Sequence, residues 1–581
     1  MNKTKIIATL GPGTQSEAQI IALIQAGMNV ARINLSHGNR ESHGRSIELV
    51  KKARVATGRF TAILLDTRGP EIRVSDLPAR IELLAGNPLL IVPADSPSTP
   101  GSISVNYPGL AADLTPGRRI LLDDGKLALL VEKIEAGIVH TRILVNGWLG
   151  SRKRVSLPDC HVNLPSLTDE DRDDIAFGVQ QEVDFIAASF VRRGEDVLAV
   201  KRIIEDNGGA LAVIAKIENR QGVDNLEEIL RVADGLMVAR GDLGVEMPAE
   251  EVPVIQKRII RAANQAGKPV ITATQMLESM INSPTPTRAE ASDVTNAIYD
   301  GTDGVMLSAE TAVGSYPVEA IRFLARCAEI SEASLDYEAI LAAGLRNRRP
   351  TATDSISYAS CAIAADLGAA AIVTATSSGS TARMVARYRP KTPIIAVSPN
   401  QASLRKLQLI RGVTTLQADF AATMDEQIDR STMVAQTAGL IGNGDLIVIT
   451  AGMPIGTSGT TNMLKVRTVA DVCFIGQGAG GGSAIGQIRI VRQTADWLSL
   501  PEKTIVVLAD TDDTMFPFLA GVQGIIIEQP GASSHAARLV EQLKIPVVCD
   551  LQGATRLLEN GQTVSIDGSS GHIVYGTNTL Q

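Results

Sequence analysis

Two pairs of oppositely charged residues stand out by their spacing. In residues 211–244, LAVIAKIENRQGVDNLEEILRVADGLMVARGDLG, an apolar run leads into Lys216 and Glu218. A second apolar run, 235–239, leads into Arg240 and Asp242. The members of each pair are two apart, so in extended backbone both side chains point to the same side. A cation and a carboxylate thus leave each of two successive strands at the same end. Carboxylates converging from different elements suit an oxygen-ligated divalent metal. A lysine beside such a metal suits an oxyanion as it forms. Surface ion pairs at strand ends are the plainer alternative. Arg32, Asn34 and Ser36 alternate in the same way, and an arginine fork matches a phosphoryl group. Asp66-Thr67 and Thr272-Ala273-Thr274-Gln275 end two more apolar runs. Neutral Asn and Ser oxygens with one Asp suit a weakly hydrated monovalent cation.

These residues need a frame that brings several strand ends together. Short apolar runs at 5–9, 29–34, 61–66, 183–189, 211–216, 235–239, 269–273 and 304–308 alternate with helical patterns. Eight parallel-type strands predict an α/β fold, a (β/α)8 TIM barrel, whose active site lies at the C-terminal ends of its strands. All the residues named above fall there. One connection, from Gly69 to about Ser166, is too long for a strand-to-helix loop and predicts an inserted domain. Its short strand patterns, with Asp123-Asp124-Gly125-Lys126 as a hairpin turn, predict a small β-barrel lid. The acidic run 169–174 reads as the first turn of a helix capped by Thr168, with the acids complementing its positive end.

After about Pro350 the pattern restarts as a separate α/β unit. There the polar loop Thr376, Ser377, Ser378, Gly379, Ser380, Thr381 opens a helix. Such a loop offers N–H groups and hydroxyls to a phosphate, or simply caps its helix. A second Gly/Thr loop lies at 452–461. The glycine-rich stretch 476–486 reads as a linker and domain entry, without a dinucleotide fingerprint. The predicted organisation is a barrel from 1–69 and 166–345, a lid from 70–165, an α/β effector domain from 346–472 and an extra swivel-like domain from 473–581.

With 581 residues the chain is too long for a single core. Apolar residues reach 45% but aromatics only 3%, so packing rests on aliphatic side chains. A net charge of -8 speaks against nucleic acid and against a polybasic membrane surface. No apolar run approaches the roughly 18 residues that span a bilayer. Five scattered cysteines read as reduced thiols of a cytoplasmic protein.

The stretches TKIIATLGP, ARINLSHG, LDTRGPEIR, AKIENRQG, ARGDLG, TATQMLESM, PTRAEASDV and MLSAETAVGSYP, in that order, resemble the pyruvate kinase family over about residues 3–470. The resemblance implies phosphoryl transfer from phosphoenolpyruvate to ADP, giving pyruvate and ATP. It also implies Mg²⁺ (or Mn²⁺) and K⁺ as cofactors, a sugar-phosphate effector and a homotetramer. Carried over by position, Arg32 grips the phosphoryl group and Lys216 stabilises the enolate. Thr274 positions the substrate and assists protonation of the enol carbon. The Gly241 backbone lies near the substrate carboxylate. Glu218 and Asp242 hold Mg²⁺; Asn34, Ser36, Asp66 and Thr67 hold K⁺. Asn34, His37 and Arg73 contact nucleotide, and Glu71 goes with K⁺ dependence. The loop Thr376–Thr381 resembles the family's activator site, with 456–461 as its second wall. The family's Lys-Gly-Val-Asn-Leu-Pro pattern is read on Cys160-His161-Val162-Asn163-Leu164-Pro165, which puts Cys160 at the lysine. Lys153 or Arg154 then substitutes for that lysine, or nucleotide binding weakens.

The tail, GIIIEQPGASSHAARLVEQLKIPVV followed by LLENGQTVSIDGSSG, resembles the swivelling phosphohistidine domain of phosphoenolpyruvate-utilising enzymes. His535 falls at the phosphorylated histidine, but the chain offers no nucleotide-grasp domain to go with it, so the tail reads as an appendage. Two other functional readings stay open. One is a phosphoenolpyruvate phosphotransferase working through His535. The other is a catalytically weak sugar-phosphate sensor, suggested by Cys160.

Overall fold

The computed structural model describes the chain except for residues 1, 159, 161, 347, 422, 453–460, 470, 471, 481, 494, 495, 498, 499, 502, 530–532 and 576–581; at 472, 473, 513 and 533–537 it describes the backbone alone. The described chain forms two compact units. The first is Met1–Phe420 with Ile449–Lys465, and the second is Ala421–Val448 with Val466–Gln581.

In the first unit, eight strands close into a parallel barrel. They are Lys5–Leu10, Val30–Asn34, Ala62–Asp66, Phe185–Ala188, Ala212–Ile217, Gly235–Ala239, Val270–Ala273 and Gly304–Leu307. Each lies on one of the eight apolar runs of the sequence. The near-continuous apolar character has a structural cause, because both faces of every strand are buried. Ile7, Val30, Leu64, Phe185, Ile214, Met237, Ile271 and Met306 fill the barrel interior. Their neighbours, such as Ile6, Ala31, Ile63, Leu65, Ile186 and Ala215, pack outward against the helices. This alternation fixes what each strand presents at its C-terminal end. Residues two and four beyond an interior side chain remain on the interior side for as long as the backbone stays extended.

Helix boundaries follow local chemistry. The acidic run does form a helix, Asp169–Gln180, with Thr168 and Asp171 making a reciprocal capping box. Asp171 is also fully buried, and its carboxylate accepts the Gly69 N–H at 3.0 Å, fixing the point where the chain leaves the barrel for the lid. Gly69 has φ +73°, and a Cβ there would sit 2.6 Å from the Phe190 ring, so glycine is required twice over.

The lid comprises a six-stranded sheet and a two-stranded sheet around one aliphatic core that includes Ile72, Leu83, Leu89, Ile103, Leu122 and Leu129. The strands Arg119–Leu122 and Leu127–Glu135 pair antiparallel across the turn at 123–126, where Asp123, Asp124 and Gly125 all take positive φ. Beyond the barrel, Ala371–Ala375, Ile394–Ser398 and Val413–Gln417 form parallel neighbours. In this same unit, residues 449–452 and 461–465 lie in the strands Leu446–Gly452 and Thr461–Thr468, which extend the sheet past Ala371–Ala375.

In the second unit an eight-stranded sheet carries a parallel run, Ser483–Ile490, Thr504–Leu508, Gly524–Ile527 and Val547–Cys549. Here the reading of 476–486 as a linker is corrected. Gln477–Gly480 and Ser483–Ile490 are strands of this sheet. The glycines serve close backbone approach. A Cβ at Gly486 would sit 2.4 Å from the Lys503 carbonyl oxygen, and one at Gly478 would sit 2.6 Å from that of Gly568.

Candidate active site

The interior alternation carries directly into a charged cluster. Val30 faces the barrel interior, so Arg32 does too; Leu64 leads to Asp66, and Ile214 to Lys216 and then Glu218. Arg32 Nη2 lies 2.7 Å from Asp66 Oδ2, and its Nη1 donates to Thr9 Oγ1 at 2.9 Å. Lys216 Nζ lies 3.0 Å from Asp66 Oδ1 and 2.9 Å from Glu218 Oε1, and donates to Ser189 Oγ at 2.7 Å. Glu218 Oε2 accepts the Phe190 N–H at 2.6 Å. Asp66 and Glu218 are each about 1% exposed.

Burial and charge sort these groups. Burial works to raise the Asp66 carboxyl, yet Lys216 and Arg32 together hold it below the usual carboxylate range. Glu218 is pushed up to about 7, mainly by burial and with a contribution from Asp242, against the opposing pull of Lys216 and the Phe190 N–H. Burial also works against the Lys216 ammonium, but Asp66, Glu218 and Asp242 outweigh it and raise its pKa. Lys216 is therefore a fixed positive charge shared by two carboxylates.

The second charged pair behaves differently from the sequence expectation. Arg240 and Asp242 were expected to leave their strand on the same side. Instead the backbone turns at once into the helix Arg240–Glu246, so residues two apart diverge. Arg240 reaches Asp293 at 2.7 Å and the Thr274 carbonyl at 2.6 Å, a supporting role behind the site. Asp242 faces the cluster and pairs with Arg154 of the lid. The Gly241 N–H donates to Thr274 Oγ1 at 2.7 Å, and the Thr274 hydroxyl donates to the Ala273 carbonyl at 2.6 Å. Thr274 and Gln275 both take positive φ, 67° and 54°, at the end of the Val270–Ala273 strand. Non-glycine residues held in that region are strained, and such strain collects at functional sites.

Asn34 and Asp66 are register partners at the ends of adjacent strands. Ser36 follows in a turn, its N–H donating to Asn34 Oδ1 at 3.2 Å, and Thr67 Oγ1 accepts the Ser189 N–H at 3.1 Å. The four oxygen-bearing residues Asn34, Ser36, Asp66 and Thr67 thus cluster. Arg32, Asn34 and His37 line a cavity of about 670 Å³ together with Thr9, Pro12 and His43. Arg73 is not in that wall; its guanidinium pairs with Glu71 in the lid.

Sequence reasoning overlooked Ser189 and Phe190. Ser189 could have been found by alternation, since Phe185 and Ala187 face the interior and Ser189 continues the series. Among the described residues no three His, Cys, Asp or Glu side chains cluster as a metal site. Two carboxylates, Glu218 and a quarter-exposed Asp242, fit a cation that completes its shell with water and substrate oxygens, as Mg²⁺ does.

Cys160 packs half-buried against the lid core. The family pattern also fits Lys153-Arg154-Val155-Ser156-Leu157-Pro158, with arginine at the glycine and serine at the asparagine. In this second register Lys153 stands at the lysine, and Arg154, at the glycine, is the side chain that reaches the charged cluster. Lys153 lies 2.8 Å from Asp123, within the lid.

In the effector loop, Thr376 Oγ1 accepts the Gly379 N–H at 3.0 Å, and Thr381 Oγ1 lies 2.9 Å from Thr461 Oγ1. Those two hydroxyls hold the loop in place, while Ser378 is exposed and Ser377 and Ser380 are half-buried at the opening of the helix Ser380–Ala386. Of the expected second wall, 456–461, residues 456–460 lie outside the described residues. His535 falls in the helix Ser533–Leu543, and its side chain also lies outside them.

Three family models match this chain: the pyruvate kinase barrel domain over residues 1–321, the pyruvate kinase alpha/beta domain over 354–467, and the mobile domain of PEP-utilising enzymes over 500–571. It is 48% identical over 580 residues to a pyruvate kinase of Geobacillus stearothermophilus and 45% identical over 581 residues to one of Bacillus licheniformis, with 99% of both chains covered in each case. A crystal structure of a pyruvate kinase from Cryptosporidium parvum superimposes with a TM-score of 0.77 at 38% identity, covering 80% of this chain and 96% of that one. With a matching barrel, a matching alpha/beta domain and full-length relatives, the chain belongs to the pyruvate kinase family of phosphotransferases.

Proposed function

We propose that the charged cluster at the C-terminal ends of the barrel strands transfers the phosphoryl group of phosphoenolpyruvate to ADP, giving pyruvate and ATP. The observation that carries this reading is the buried Lys216 ammonium, held within 3.0 Å of both Asp66 and Glu218 and aimed along the barrel interior. A positive charge fixed in a water-poor site needs no reorganisation when an enolate oxygen develops beside it. Phosphoryl transfer depends mostly on positioning and charge neutralisation. Arg32, oriented by Asp66 and Thr9, supplies a planar fork for the phosphoryl oxygens.

Glu218 and Asp242 would hold Mg²⁺ or Mn²⁺, which neutralises phosphoryl and carboxylate charge when bound. Asn34, Ser36, Asp66 and Thr67 would hold K⁺. The Gly241 N–H and the Thr274 hydroxyl would turn from their present hydrogen bonds to orient the substrate carboxylate. Thr274 would assist protonation of the enol carbon. Asn34 and His37, in the wall of the large cavity, would contact ADP, with Arg73 joining from the lid. In the α/β region, Ser377, Ser378 and Ser380 with the backbone of Gly379 would take the phosphate of a sugar-phosphate effector. The working form is a cytoplasmic homotetramer on the same family reading.

The test is pyruvate formation from phosphoenolpyruvate and ADP with Mg²⁺, with and without K⁺, across a panel of sugar phosphates. K⁺-stimulated turnover is expected, with one sugar phosphate altering the substrate dependence. Ser378→Asp should abolish that activation while leaving saturated turnover in place. Turnover below background under every condition would overturn the assignment.

A further inference from the structure

Three carboxylates border the site, Asp66 and Glu218 joined through Lys216 and Asp242 set apart from them, and three cations pair with them: Arg32, Lys216 and Arg154. Two of these cations belong to the barrel. The third comes from the lid, one residue before the strand Val155–Ser156. Arg154 Nη1 donates to Asp242 Oδ1, its guanidinium sits 5.0 Å from the Phe190 ring centroid, and its side chain is only 13% exposed. The same Phe190 gives its N–H to Glu218, so one residue props both the arginine and the carboxylate beside it. On the second register of the family pattern, position 154 is a glycine, which has no side chain to make this contact.

We propose that Arg154 is a lid-borne counter-ion for the divalent-cation site, which must leave Asp242 before a metal can be ligated there, so that lid position and metal loading exclude one another in the free enzyme. The inference rests on reading Glu218 and Asp242 as the metal ligands. A cation bound through Asp242 Oδ1 takes the oxygen that the guanidinium now holds. The charge count gives the same answer. With Glu218 ionised and Arg154 in place the three carboxylates are already balanced, and a divalent ion would add two uncompensated charges. With Arg154 withdrawn, one excess charge remains, which an anionic substrate can offset. Arg154 is tied to the lid through the Arg73–Arg154 bridge and the Val74 N–H bond to the Lys153 carbonyl at 2.8 Å. Withdrawal by movement of the lid, rather than by rotation of the side chain alone, moves this backbone with it. Coupling of this kind is reciprocal: whatever draws the lid open favours the ion, and the ion favours the open lid.

The test uses full-length enzyme without substrate and Mn²⁺ as the probe, with free Mn²⁺ followed by its paramagnetic resonance signal. Arg154→Gly and Arg154→Met should bind Mn²⁺ about tenfold more tightly than the parent, within the usual range of coupling between two sites. Asp242→Asn should lose the binding. Unchanged or weaker affinity in both Arg154 variants, with Asp242→Asn still losing it, would overturn the counter-ion role and leave the metal reading standing. Parent-like binding by Asp242→Asn would overturn both. Hydrogen exchange on the parent protein gives an independent readout: Mn²⁺ should speed exchange at Val155 and Ser156, and no change there would also overturn the proposal.

Discussion

At the scale of single residues, what distinguishes this site is that its charges are buried and shared. Lys216 bridges Asp66 and Glu218, so its removal does two things at once. It takes away the positive charge proposed to meet the enolate, a loss on the order of 10²–10³ in turnover by analogy with a single oxyanion donor. It also leaves the buried Glu218 without its cation and Asp66 with Arg32 alone, which costs about 3–5 kcal/mol. Lys216→Met should therefore show both a collapse of kcat and a lower Tm, and parent-like turnover in that variant would refute the mechanism. Glu218 supplies a pH signature. Its carboxyl is raised to about 7 from an ordinary 4.5, first by burial. A raised carboxyl favours the protonated folded form. Its stabilising contribution is complete below about 4.5 and is lost as pH rises through about 7. The protonated acid cannot ligate a cation. Metal-free protein should thus lose stability from this group between about pH 4.5 and about pH 7, and Mg²⁺ should restore it at pH 8 and not at pH 5. Thermal melts at the two pH values, with and without Mg²⁺, check both directions, and Glu218→Gln should remove the pH dependence.

At the scale of elements, the sequence disclosed most where one physical rule acted alone. Parallel strands buried on both faces leave uninterrupted apolar runs, so all eight barrel strands were legible, and Lys216 and Glu218 fell on one side as alternation requires. Legibility failed where the backbone changed type without an obvious marker. Nothing in Ala239-Arg240-Gly241-Asp242 announces that a helix begins at Arg240, and the alternation rule carried past that point gave the wrong partner for Arg240. The glycines of 476–486 failed for another reason. Glycine marks both flexible linkers and close backbone contact, and only the opposing carbonyls at Lys503 and Gly568 decide between them. Arg154 was named as a stand-in for the family lysine, but its pairing with Asp242 was unreadable because it joins residues 88 apart in the chain, through a lid whose placement no local pattern encodes. Asp184, just before the fourth barrel strand, offers a test of how elements are tied together. It is 1% exposed, pairs with Arg54 at 2.9 Å and Arg405 at 2.7 Å, and accepts the Ile63 N–H at 2.9 Å. Asp184→Ala should cost about 3–5 kcal/mol, because two arginines lose a buried carboxylate. Asp184→Asn, which keeps an acceptor for Ile63, should recover part of that loss in a thermal melt.

At the scale of the whole molecule, the question is what the second unit contributes to chemistry. Every side chain assigned to the reaction, from Thr9 to Thr274, lies in the first unit, as does the effector loop 376–381. The second unit has cores of its own, one around Val506, Ile525, Leu539 and Val547, the other around Ile488, Val507, Ile526 and Val564. Their composition is that of an independently packed sheet, and the matched mobile-domain model spans 500–571 within it. A phosphohistidine at His535 would need a nucleotide-activating partner, and the family models that match this chain cover only a barrel, an alpha/beta domain and the mobile domain. The tail is therefore expected to be dispensable for the phosphoryl transfer step. A chain ending after the strand Thr461–Thr468, which keeps the whole first unit and residues 421–448 of the second, should keep the kcat of the full protein at saturating phosphoenolpyruvate and ADP. Incubation of the full chain with labelled phosphoenolpyruvate should give no acid-labile label that His535→Ala removes. A truncated chain that folds but turns over slowly, or label that disappears in His535→Ala, would show instead that the tail takes part in the chemistry and that the reaction runs through two sites.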